Sequence, residues 1–191
     1  QNRMIQKANA ALAEKNEKIE TQKHEIELQR DIATKQKQNI TDSIQYAKNI
    51  QSALLTPKNY INEFLHDYFI LYKPRDIVSG DYYWLHQKED AIIVIAADCT
   101  GHGVPGAFMS MLGITFLTEI VNKFAEKCPK DIPFGDFIKA SDILNELRDY
   151  VIRSLHQTGE KVHTKDGIDL SLCIINQIGR ASCRERVCHR V

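Results

Sequence analysis

From Ile5 to Leu54 an apolar residue returns at every seventh position: Ile5, Leu12, Ile19, Ile26, Ala33, Ile40, Ala47 and Leu54. No Pro or Gly interrupts this run before Pro57. A strict seven-residue repeat under-winds an α-helix into a left-handed seam. The spacing therefore predicts one helix of about 50 residues, roughly 75 Å long, ahead of a separately folded part. The companion seam position reads Ala8, Lys15, Gln22, Gln29, Gln36, Ser43 and Ile50. Its polarity makes the seam weak, and β-branched residues at the stronger position favour a parallel two-stranded coiled coil, hence a homodimer.

After Leu55-Thr-Pro57 aromatics appear and the polar repeat ends, which sets a domain boundary near residue 57. Strands are expected at Tyr68–Tyr72, Tyr82–His86, Ala91–Ala97 and Ile168–Ile175. One helix is expected over Gly106–Lys127 behind Pro105, and a second amphipathic one capped by Asp136. The order β-β-β-α-α-β with antiparallel pairing points to an α+β fold rather than a doubly wound sheet. The expected organisation is a coiled-coil signalling helix over 1–56 and a folded domain over 57–177. The tail, 178–191, abandons the apolar pattern and resembles the translation of a sequencing adapter. The genuine sequence is expected to end near Gln177.

Lys+Arg and Asp+Glu both number 25, so no basic surplus suggests nucleic acid as a partner. Without the tail's four Arg and one Glu, 21 basic residues face 24 acidic ones. No signal segment is visible. The nearest approach to a membrane span, Phe108–Val121, is short and carries Glu119. A cytoplasmic protein is expected, with room for an upstream sensor or membrane tether, since the sequence starts at Gln1 without an initiator Met. Five cysteines without a CxxC pair are expected to be reduced thiols.

The chemistry points to Asp81 and Asp98. Their numbers sum to 179, so a hairpin turning at Glu89-Asp90 sets them face to face. Facing side chains lie roughly 5 Å apart at Cβ, where two like charges destabilise the sheet. A hard divalent cation bound by oxygen ligands removes that cost. Gly101-His-Gly-Val-Pro-Gly106 also satisfies GxGxxG, but a dinucleotide loop there is disfavoured. Asp98 at its entrance repels a pyrophosphate, and the acidic residue needed about 20 positions on, Glu119, falls inside a helix.

Three segments together carry a resemblance: Ile44-Gln-Tyr-Ala-Lys-Asn-Ile-Gln51, Lys73-Pro-Arg-Asp-Ile-Val-Ser-Gly-Asp-Tyr-Tyr-Trp84, and Ala97-Asp-Cys-Thr-Gly-His-Gly-Val-Pro-Gly-Ala-Phe-Met109. They resemble the metal-dependent type 2C (PPM) protein phosphatases, in the bacterial branch typified by stage II sporulation protein E. The likeness runs from about residue 44 to 176. It implies part of an αββα sandwich with a binuclear Mn²⁺ or Mg²⁺ centre. It also implies hydrolysis of a phosphorylated protein, such as an anti-sigma-factor antagonist, by a metal-activated water. By this resemblance Asp81 and Asp98 are metal ligands, and Cys99 contributes its backbone carbonyl. His102 is a candidate general acid, with a loop-structural role equally open, and Arg75 is a candidate phosphoryl-orienting residue. Asp166 and Asp169 read as turn and strand-entry residues. The further metal-binding aspartates of the family's C-terminal half have no counterpart here. This chain alone is therefore expected to be inactive or poorly folded. The alternative function is a non-catalytic phosphatase-like module that binds a partner on a dimeric coiled coil.

Overall fold

The computed structural model describes residues 2–157, 166–176 and 181–188, the last stretch as backbone. The expected boundary near Gln177 and the polar connection's 158–165 lie outside the described residues. The chain divides into two compact units, Gln1–Ser43 and Ile44–Val191.

The first unit is helical throughout its described length, part of α1 (Asn2–Leu54). The apolar heptad residues Ile5, Leu12, Ile19, Ile26, Ala33 and Ile40 are all exposed. Its surface is stitched by local pairs such as Lys18 with Glu14 one turn earlier, an interaction worth a few tenths of a kcal/mol. Burial within the unit therefore does not explain the helix. An apolar stripe on a polar rod is what a coiled-coil partner covers.

The second unit contains the last turns of α1, then α2 (Lys58–Phe64), β1 (Tyr82–Lys88), β2 (Ala91–Cys99), α3 (Gly103–Lys127), α4 (Phe134–Phe137), α5 (Ala140–Ser154), β3 (Ile168–Asn176) and β4 (Ala181–Cys188). The strands form one antiparallel sheet in sequence order. β1 and β2 turn at Glu89-Asp90, as the sequence predicts, with Glu89 in the left-handed region at φ 52°. Period-two burial along β2 and β3 aims Ile93, Ile95, Ala97, Leu170, Leu172 and Ile174 at α3 and α5. Those helices answer with Leu117, Ile120 and Val121 and with Ile143, Leu144 and Leu147, all at 0% exposure. α3 is long and apolar enough to cross a membrane by length and composition, but half of that stretch is buried inside the protein.

The sheet's other face is only partly covered. Leu85 and Ile92 pack under Ile61 of α2, with Tyr68 and Ile70 alongside. Further along, Ala96, Asp98, Asp169 and Ser171 are exposed. The result is a one-sheet α+β architecture with a long N-terminal helix.

Several local expectations are corrected. Tyr68–Tyr72 is extended and alternates half-buried and exposed residues, but it has no ladder partner among the described residues and is not a strand there. α2 was not expected, its seven residues being too few to show a helical period. α3 starts at Gly103, so Pro105 falls in its first turn, where a missing N–H costs nothing. Asp136 lies in α4 rather than capping α5, and its Oδ1 accepts from Asn176 Nδ2 at 2.9 Å. Cys173 is disulfide-bonded, contrary to the expected reduced thiols. The β3–β4 register sets Cys183 opposite it, a juxtaposition that spacing along the chain does not reveal.

Candidate metal centre

The register Tyr82↔Ala97 begins one position beyond Asp81 and Asp98, so the hairpin brings these two aspartates face to face at its open end. Their carboxyls are within hydrogen-bonding reach, and the Asp98 pKa is raised. Partial burial is the first cause, followed by the hydrogen bond to Asp81 and repulsion from its charge. β3 adds a third carboxylate to the row, since Asp169 is the register partner of Asp98. Opposed residues of an antiparallel pair share a sheet face. Asp169 is thus placed beside the expected ligands, where the sequence suggested only strand entry. Among the described residues, no three His, Cys, Asp or Glu side chains converge closely enough to hold a metal ion.

Cys99 is buried at 3% exposure, and burial first, then Asp98 and Asp81, pushes its thiol pKa up to about 12. A thiol held protonated is no nucleophile. Its backbone carbonyl, however, faces Gly80: a Cβ built there would stand 3.1 Å from the Cys99 oxygen and 2.7 Å from that of Gly101. The strand-entry segment Ser79-Gly80-Asp81 and the loop after Asp98 are therefore in backbone contact, which only glycine allows.

That entry segment is also clamped from the helix side. Gln51, near the end of α1 and 3% exposed, donates from Nε2 to the Ser79 carbonyl at 2.6 Å and to Ser110 Oγ at 2.8 Å. Its Oε1 accepts from Ser79 N at 3.1 Å. Ser79 Oγ in turn accepts from the Asp81 amide at 3.1 Å. Tyr72 lies close to Ser79 and Asp81, and burial raises its phenol pKa. On the far side, Thr100 fixes the loop through three bonds with Gly167: its amide donates to the carbonyl at 2.9 Å, and its hydroxyl donates to the same carbonyl at 3.2 Å and accepts from the amide at 2.9 Å.

His102 sits between Gly101 at φ 87° and Gly103 at φ 64°, a left-handed pair that turns the ring outward. Its Nδ1 lies 2.8 Å from Asp76 Oδ2. Arg75 is exposed and forms no ion pair among the described residues, so nothing ties it to the aspartates. Sequence reasoning missed Gln51, Ser79 and Asp76 as individual contributors, although all three fall inside the segments that carried the resemblance.

The donor set is entirely oxygen, and its two nearest members already repel each other. Both properties fit a hard divalent cation such as Mn²⁺ or Mg²⁺, which accepts carboxylate and carbonyl ligands and cancels the repulsion.

No protein-family model matches this sequence, and no curated protein does. Among solved structures the chain is similar to the SiaA-PP2C domain of Pseudomonas aeruginosa, with 30% identity and a TM-score of 0.56. The match covers 74% of this chain and 50% of that one. The chain thus spans half the length of the solved domain it matches. The hairpin, the paired aspartates and this likeness together support the metal-dependent type 2C (PPM) phosphatase family and a partial domain of it.

Proposed function

We propose that the whole protein is a metal-dependent serine/threonine phosphatase of bacterial signalling, acting on a phosphorylated protein such as an anti-sigma-factor antagonist. The observation that carries this reading is the Asp81–Asp98 pair, in which partial burial first and Asp81 second raise the Asp98 pKa, buttressed by Gln51, Ser79 and the Gly80–Gly101 contact. Asp81, Asp98 and the Cys99 carbonyl would hold the cation or cations, which would supply charge neutralisation at the phosphoryl oxygens and a more acidic water. The chain's own part is positional: the clamped backbone keeps both carboxylates aimed at one point, and His102 stands four residues beyond Asp98 on the same loop. The exposed seam of α1 supports a homodimer; a cytoplasmic location and an upstream sensor region acting through the helix complete the proposal.

Thermal melts with and without Mn²⁺ test the ligand assignment directly. Mn²⁺ is expected to raise the wild-type midpoint and to leave Asp98→Asn unchanged, while the cation-free variant gains about 0.5 kcal/mol from the lost repulsion. An equal Mn²⁺ response in both proteins contradicts the assignment.

A further inference from the structure

The segment that presents Asp81 to Asp98 also presents a second carboxylate to the same opposing loop. Asp76 lies five residues before Asp81, and its Oδ2 is 2.8 Å from His102 Nδ1. The two segments are therefore bridged twice, by Asp81 with Asp98 and by Asp76 with His102. Both ends of the platform are fixed. Val78 is 1% exposed, and Ser79 is held by the Gln51 amide.

The second bridge does not explain itself by stability. The two side chains are 63% and 43% exposed, and an exposed pair of this kind contributes about 0–1 kcal/mol. What the bridge does is orient. A Cβ on Gly103 would lie 3.5 Å from Asp76 Oδ2, so the carboxylate sits at the start of α3, whose first turn has no acidic residue of its own. That end of a helix favours negative charge. Asp76 is thus placed as the acceptor of this bridge, and the ring facing it presents Nδ1–H. Nε2 is then left as the ring's free nitrogen.

We propose that Asp76 is a positioning residue that holds His102 with Nδ1–H toward its carboxylate, so that the ring, once it has taken up a second proton from solvent at Nε2, delivers that proton to the departing seryl or threonyl oxygen. The inference rests on the phosphatase reading. As water oxygen bonds to phosphorus and the P–O bond to the side chain breaks, that bond's electron pair goes to the leaving oxygen. This oxygen takes the Nε2 proton. The proton lost by the attacking water passes to solvent, from which the ring is recharged. A carboxylate behind a histidine in this way fixes tautomer and ring direction without itself changing protonation state.

Two measurements test the proposal. In ¹⁵N-resolved histidine spectra, neutral His102 is expected as a single Nδ1–H tautomer. Asp76→Ala should shift it toward a mixture dominated by Nε2–H, and Asp76→Glu should restore it. Unchanged spectra in Asp76→Ala overturn the positioning claim whether or not the protein turns over. In the full-length Mn²⁺ protein, a proton donor matters most when the leaving group is poor. Asp76→Ala should lower kcat for a phosphoserine peptide about tenfold and His102→Ala about a hundredfold. Both should affect 4-nitrophenyl phosphate far less, and Asp76→Glu should recover most of the peptide turnover. Equal losses on the two substrates overturn the proton-delivery role. A wild-type protein that hydrolyses neither substrate overturns both that role and the phosphatase reading, and leaves the spectra to judge the pairing.

Discussion

Residues near the sheet's carboxylate row show how burial sets their chemistry. Asp98 and Cys99 are neighbours in sequence yet point to opposite faces of β2, one to the open row and one to the core. The same alternation makes His86 informative. It is half-buried, stacks on Trp84 with ring centroids 5.2 Å apart, and has a lowered pKa, from desolvation first and Lys88 second. Its folded-state pKa lies below the unfolded value of about 6.5, so the unfolded chain takes up the proton first as pH falls. Stability contributed by neutral His86 is present above that pH and is lost as pH falls through the folded pKa. Urea midpoints at pH 7.5 and 5.5 should therefore drop more in the wild type than in His86→Gln. An identical drop rejects this account. The Asp81–Asp98 opposition was legible because a two-residue turn fixes register from sequence alone. The contact of Gln51 with Ser79 was not, since 28 residues separate them and no periodicity links a helix end to a strand entry.

Among the elements, the junction of strand entry, loop and α3 is where the site is made. Gly80 and Gly106 both approach Gly101: Cβ atoms built on them would stand 2.7 and 2.6 Å from its carbonyl oxygen. These neighbours are backbone and cannot swing aside. Gly80→Ala is expected to destabilise the second unit by about 2 kcal/mol and to weaken Mn²⁺ binding by displacing Asp81. Denaturant melts and calorimetric titration read the two effects, and a variant as stable as wild type would show the packing to be looser than described. Here the sequence pattern was partly misleading. Pro105 marked a helix start correctly in kind but three residues late, because proline is tolerated within a first turn. Tyr68–Tyr72 has the alternation of a strand, yet a strand also requires a hydrogen-bonding neighbour, and none is present among the described residues.

On the scale of the whole molecule, two surfaces are unfinished. One is the seam of α1 in the first unit, where Ile5, Leu12, Ile19 and Ile26 are 55%, 58%, 57% and 64% exposed. The heptad was fully readable because its period is local, and it leads to the proposed parallel dimer. Replacing Ile19 and Ile26 by Asp should raise the dimer dissociation constant at least tenfold in sedimentation equilibrium, about 1.4 kcal/mol. Unchanged association would assign the seam no role. The other surface is the sheet face bearing Asp81, Asp98 and Asp169, beyond the cover that α2 provides.

The central claim is that this row is the working part of a metal-dependent phosphatase. Hydrolysis of a phosphoserine peptide by the full-length protein, wild type beside Asp98→Asn, tests it most directly. The account predicts turnover that requires Mn²⁺ or Mg²⁺ and falls at least about a hundredfold in the variant. Turnover without a divalent cation, or undiminished in Asp98→Asn, would contradict it.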